Sequence, residues 1–279
     1  MSRRTIARPA TVEGVGLHLG EDCRLTFLPA PAGTGRVFRR ADRPGSEPVP
    51  AHASAAVLAE RRTQLGQGDE AFHTVEHVLA AVAAAELDDL IIEMDAPEPP
   101  IADGSAAPFY EVLRDAGAVE HEGTRSVLRL TSSVRVEDGE SVYEAHPADR
   151  LELDVTIRFP HALIGEQRWS GQVTPDTFSR ELAAARTFGF VHEVEALKSR
   201  GLIRGATTSN AVVLDREGLV DCTLRWPDEF VRHKAMDCVG DLALAGAQVA
   251  ARVVADRPSH RGTVLLVRAM LEHGGLHDA

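Results

Sequence analysis

The stretch Asp228-Glu229-Phe230-Val231-Arg232-His233-Lys234-Ala235-Met236-Asp237-Cys238-Val239-Gly240-Asp241-Leu242 sets ionisable groups into an otherwise apolar helical run, with His233, Asp237 and Asp241 recurring every four residues. At 3.6 residues per turn, that spacing stacks the three on adjoining turns of one face. A solvated face ordinarily spends such positions on Glu and Lys pairs. An imidazole nitrogen and a carboxylate oxygen four residues apart can instead converge on one point, which is a metal-ligand spacing. A fold that uses it must bring a further ligand to this helix, because open zinc sites take three protein ligands. Without that ligand the same residues are an exposed polar pair.

A second partner lies upstream, in His73-Thr74-Val75-Glu76-His77, ahead of the helical run Val78 to Ala85. Glu76 directly precedes His77. In metallohydrolases one His holds the ion while a neighbouring carboxylate, not itself a ligand, takes the proton from the attacking water.

The 279 residues, 44% of them hydrophobic, are enough for one large or two medium domains. Thirty basic against 42 acidic residues give a net charge of −12, which argues against a general nucleic-acid binder and leaves any anionic substrate to a local basic cluster. Cys23, Cys222 and Cys238 have no paired spacing, so neither a disulfide framework nor a zinc ribbon is expected. The basic start Met1 to Pro9 has no apolar segment behind it, and no window approaches the ~18 apolar residues of a membrane span. The chain reads as soluble and cytoplasmic, a monomer acting on a small molecule.

Alternation and turn residues predict strands at Arg24–Leu28, Val37–Arg40, Asp88–Met94, Val127–Leu130, Val134–Glu137, Leu151–Ile157, Ala211–Leu214 and Val249–Ala255. Helices are expected from His77, from Pro108 to Ala116 with Ser105 as cap, from Thr174 to Ala185, from His192 to Arg200, around His233, and from Ser259 to Leu271. His18 reads as an ordinary turn histidine, and residues 272–279 as frayed. The polar segment His121-Glu122-Gly123-Thr124 divides an N-terminal domain, 1–123, from a C-terminal one, 124–279. In each half a long helix beginning at a histidine precedes a β-branched strand. Two similar domains facing one another would bring His77 to the His233 helix.

Four motifs carry a family resemblance: Thr74-Val75-Glu76-His77, Pro100 to Phe109 (Pro-Ile-Ala-Asp-Gly-Ser-Ala-Ala-Pro-Phe), Arg186-Thr187-Phe188-Gly189-Phe190, and Asp228 through Leu242. In order and in register they resemble UDP-3-O-acyl-N-acetylglucosamine deacetylase, the zinc amidase that commits Gram-negative bacteria to lipid A synthesis. The similarity runs from about residue 4 to about residue 271. It implies an α+β fold of two similar domains, each a layered sheet with helices, the helices sandwiched between the sheets and the active site at their interface.

The resemblance further implies His77, His233 and Asp237 as ligands of one Zn2+, Glu76 as general base, His260 as general acid oriented by Asp241, and Thr187 as an oxyanion donor. Fe(II) suits the same ligand set. Activity is expected to fall at low pH as Glu76 protonates and at high pH as His260 loses its proton. Lys234 is the expected contact for the diphosphate. Phe159 resembles the family's segment near the uracil, although a buried strand Phe accounts for it equally. An insert at 191–213 is expected to form the acyl groove from Val191, Val194, Ile203, Ala206, Ala211 and Val213, with Leu17 and Phe188 at its mouth.

The chain departs from the family pattern around the acid histidine. Ser259 stands where Gly is usual, and Arg261-Gly262-Thr263 follows where Leu-Asn or a similar pair is usual. In the insert, Gly205-Ala206-Thr207-Thr208-Ser209-Asn210 replaces a Gly-Gly-Ser pattern, placing a methyl at the groove. A related zinc hydrolase of another acylated amino sugar is compatible with these departures. A non-catalytic paralogue that binds nucleotide sugars would have little reason to keep both the ligands and the proton-transfer pair.

Overall fold

The computed structural model describes residues 1–278. The fold is α+β, with two main sheets and six helices. The helices are α1 (Glu76–Ala84), α2 (Ala107–Ala116), the single turn α3 (Pro175–Thr177), α4 (Val191–Ser199), α5 (Glu229–Leu242) and α6 (His260–His273). None is long and apolar enough to cross a membrane.

One main sheet has five strands, in the order Ala10–Val15, Asp22–Pro29, Leu90–Met94, Arg36–Arg40, Val49–Pro50. The other has seven and is built along Gln248–Asp256, which pairs antiparallel with Ser141–Pro147 on one side. On its other side it pairs in parallel first with Ser126–Leu130 and then with Glu152–Phe159. The alternation read in Leu151–Ile157 is real: Leu153, Val155 and Ile157 are buried in the core.

Helix α2 packs on the five-stranded sheet and on α1, α1 packs on α5, and α5 and α6 pack on the seven-stranded sheet. The helices therefore form the middle of the structure. Helix α1 is short, alanine-rich and buried on nearly every side, so α5 can come very close to it. The closest approach is at Gly240, where a Cβ would collide with the main-chain carbonyl of Glu76. A glycine there lets the two backbones touch.

Several segments differ from the sequence reading. Residues 272–278 are not frayed, because Gly274–Asp278 pairs antiparallel with Ser126–Leu130. The two glycines and polar side chains of that strand show no alternation, and backbone pairing alone orders it. Ser141–Pro147 and Gly165–Gln172 are additional strands. In the second only Trp169 is buried, so its polar residues hide the period. The segment 121–124 lies within strand Ala118–Thr124, which pairs with Ser2–Ile6. Thr174 does cap a helix, accepting from Thr177 N at 3.1 Å, but α3 gives way at once to a π-helical turn, Phe178–Leu182. The N-cap of α2 is Ala106, without a side-chain cap bond; Ser105, expected as the cap, stands one residue earlier and accepts from Ala107 N at 3.3 Å.

Candidate active site

Because Gly240 seats α5 on the first turn of α1, His77 faces His233 and Asp237. The two imidazole rings stand edge to face with centroids 5.2 Å apart. Asp237 Oδ1 lies 3.6 Å from His77 Nε2 and 3.5 Å from His233 Nε2. It is buried and has no hydrogen-bond partner among the described residues. An orphaned buried carboxylate oxygen is costly.

The donor set answers that cost. Ligands about 2.0–2.2 Å from a tetrahedral ion lie ~3.3–3.6 Å from one another, which is the spacing of Asp237 Oδ1 from each histidine. His233 Nδ1 donates to the Ala185 carbonyl at 3.1 Å, so Nε2 carries the lone pair that faces Asp237. Burial lowers this imidazole to about 4 despite the opposing pull of Asp237, which keeps it neutral. Lys234 Nζ donates to Asp237 Oδ2 at 2.8 Å, occupying the second oxygen and leaving Oδ1 for an ion. His77, His233 and Asp237 thus fit one divalent metal ion.

Beside this trio stand Glu76 and His260. Glu76 is 3% exposed, and its Oε2 accepts from Thr63 N at 3.0 Å. Burial pushes its carboxyl above the usual range, with His260 and His77 pulling the other way. His260 Nε2 is 3.6 Å from Glu76 Oε1 and 3.9 Å from Asp237 Oδ2, while its Nδ1 donates to Asp241 Oδ2 at 3.0 Å. Burial opposes its charge, but the Asp241 and Glu76 carboxylates outweigh burial and raise the imidazolium to about 9.

The residues that depart from the family pattern set this histidine in place. Ser259 is extended and accepts from Gly262 N at 3.1 Å, capping α6 one residue before His260. Gly262 leaves room for the ring of Tyr143. Tyr143 OH in turn accepts from Ser259 N at 2.7 Å and donates to Ser259 O at 3.1 Å.

A cavity of about 910 Å3 opens over these groups. Thr187, Lys234, Phe159, Leu17, Phe188, Val194, Ile203, Ala206, Ala211 and Val213 all line it. Thr187 is pinned by its backbone, donating to Gly104 O at 2.7 Å and accepting from Val212 N at 2.8 Å. Phe159 packs edge to face on Phe188 at 5.5 Å and against Phe190 at 5.8 Å. Val191 is the exception: it is 45% exposed and outside the lining. Val191 is the first residue of α4, whereas Val194 and Leu197, three residues apart on one face, reach the cavity.

Several participants had no sequence signal. Thr63, in the loop before α1, binds Glu76 through its N–H and donates its hydroxyl to Asp241 Oδ1. Tyr143 lies on an unforeseen strand. His18 is no ordinary turn residue, being 4% exposed and part of the cavity wall. Its N–H, with that of Leu19 and the Thr74 hydroxyl, converges on the buried carboxylate of Glu98. The glycines flanking His18 in Gly16-Leu17-His18-Leu19-Gly20 were the one available hint.

A model of the family described as UDP-3-O-acyl N-acetylglycosamine deacetylase matches residues 3–272. A protein of Bdellovibrio bacteriovorus named UDP-3-O-acyl-N-acetylglucosamine deacetylase is 41% identical over 267 residues, covering 95% of this chain and 88% of its own length. A Brucella melitensis protein of the same name is 41% identical over 271 residues, covering 96% and 95%. With the match running nearly end to end, and through every element that surrounds the His77, His233 and Asp237 cluster, the chain belongs to the UDP-3-O-acyl-N-acetylglucosamine deacetylase family.

Proposed function

We propose that this protein hydrolyses the N-acetyl amide of UDP-3-O-acyl-N-acetylglucosamine, releasing acetate and the free amine that lipid A synthesis requires. The observation that carries the reading is the orphaned Asp237 Oδ1 between two histidine Nε2 atoms, with Glu76 and His260 beside it and an apolar cavity above. The relatives' shared name supplies the substrate.

His77, His233 and Asp237 would hold a divalent ion, which would supply Lewis acidity and make water a stronger acid near neutral pH. Zn2+ suits the His/His/Asp set, and Fe(II) is the competing occupant. Glu76 takes a proton from the attacking water; its buried carboxyl, shifted upward, is a stronger base than an exposed glutamate. As the acetamide carbonyl becomes tetrahedral, the Thr187 hydroxyl donates to its oxygen. His260, held as imidazolium by Asp241, delivers a proton to the departing nitrogen.

The substrate's acyl chain occupies the stripe formed by Phe190, Val194, Leu197, Ile203, Ala211 and Val213. Lys234 contacts the diphosphate by exchanging its Asp237 partner, and Phe159 borders the nucleotide end. Residues 1–123 and 124–279 act as two domains that clamp the substrate between them, in a monomer of the cytoplasm.

The test is acetate release by metal-loaded protein from UDP-3-O-acyl-N-acetylglucosamines of several acyl lengths. Turnover with at least one length supports the assignment. A folded, metal-loaded protein that turns over none of them would move the reading to a hydrolase of another acylated amino sugar.

A further inference from the structure

A second cavity, of about 390 Å3, lies at the other end of the helices that carry the metal-binding side chains. Ala83 and Ala84 of α1 line it with Val239 and Leu242 of α5. At 1.5 Å per residue, Ala84 is roughly 10 Å along α1 from His77. The cavity belongs to neither the acyl groove nor the catalytic centre, since none of its lining residues borders the first cavity.

Its floor holds an unusual charge. Arg36 is 8% exposed, yet no carboxylate among the described residues pairs with it, although its neighbours are all matched. Arg3 pairs with Asp89 at 2.7 Å, Arg125 with Asp88 at 2.9 Å, and Arg4 with Glu86 at 3.1 Å. Arg36 is the surplus cation of this group. Its Nε donates to Leu87 O at 2.8 Å and its Nη1 to Ala243 O at a long 3.4 Å. Those carbonyls lie just beyond the C-terminal ends of α1 and α5, whose dipoles partly offset the charge. Nη2 has no protein acceptor among the described residues. Arg36 lines the cavity, and an anion there would complete its guanidinium.

The rest of the cavity defines the anion. Arg36, Arg129 and Arg150 line it with Glu86 and Asp149, and Glu86 is already matched to Arg4, so the lining favours an anion. Apart from Thr174 and Gln248 the remaining wall is mostly apolar, including Val127, Val239, Leu242 and Ala247. A guanidinium edge prefers a planar two-oxygen acceptor. A volume of this size is at the small end of ligand pockets. We infer that this cavity is a second ligand site, taking a monocarboxylate with a short apolar chain, its head on Arg36 and its chain between the ends of α1 and α5. The site does not depend on the substrate assigned to the first cavity.

The inference can be tested on the full chain with an octanoate carrying a diazirine, cross-linked by light and mapped by mass spectrometry. Labels at residues 83–86 and 247–250 are expected, separate from any at 190–213. The matching alkylamine should label the first two segments about tenfold less. Ala83→Leu, which fills the cavity from the α1 side, should remove these labels and leave those at 190–213 unchanged. Arg36→Gln should reduce them by a similar factor where melting shows it folded; if it does not fold, Ala83→Leu decides. Labelling confined to 190–213, equal labelling by the acid and the amine, or labels at 83–86 that persist in Ala83→Leu would each overturn the site.

Discussion

Gly240 of α5 rests on the main-chain carbonyl of Glu76 in α1, so closely that no side chain fits between them. This contact sets the distance between the two helices, and with it the 3.5 and 3.6 Å spacings of Asp237 Oδ1 from the two histidines. Gly240→Ala would force the helices apart. Overpacking of this kind costs about 1–3 kcal/mol, and the expected outcome is a lower melting temperature together with weaker metal retention, read by thermal unfolding and by metal content after dialysis.

Thr63 ties the carboxylates of Glu76 and Asp241 together, through its N–H to the first and its hydroxyl to the second. Thr63→Val keeps the first bond and removes the second, so His260 loses orientation but the cavity keeps its shape. A fall of about tenfold in kcat, equivalent to about 1.4 kcal/mol, is expected with little change in KM. Steady-state kinetics on one substrate length measures both.

The pH profile follows from two upward shifts, one of an acid and one of a base. His260 is raised to about 9, so its protonated form persists through neutrality and activity falls as pH rises through that value. Glu76 is also raised, so the acid limb should lie above the ordinary carboxylate range and activity should fall as pH drops through it. Asp241→Asn removes a charge that supports the imidazolium, and the basic limb should move to lower pH. An unmoved basic limb in that variant would show that His260 does not set it.

Acyl selectivity should reside in the inward stripe of α4. Val194 lines the cavity whereas Val191 is 45% exposed. Val194→Trp is therefore expected to raise KM for long acyl chains about tenfold or more while sparing short ones, and Val191→Trp to do neither. Comparing KM across a series of acyl lengths checks both.

The grouping of His77 with His233 and Asp237 was legible because its information is local. His233, Asp237 and Asp241 share one helix face, Glu76 and His77 are adjacent, and long motifs in register supplied the roles expected of them. What bound them was not local. Thr63 reaches Asp241 across 178 positions, and Tyr143 reaches Ser259 across 116, with no period or motif to announce either. The strands Gly165–Gln172 and Gly274–Asp278 were hidden for a related reason, since backbone pairing rather than a buried face orders them. Ser259 was legible as a departure, but its work as the cap of α6 could be seen only once the helix start was in place.

The central claim is that Glu76 is the base at a metal ion held by His77, His233 and Asp237. The most direct test is acetate release by the parent and by Glu76→Gln at equal, measured metal occupancy. The account predicts that the variant binds the ion as the parent does and loses turnover by a factor of about 100 or more. A Glu76→Gln protein that keeps both its metal and its rate would contradict it.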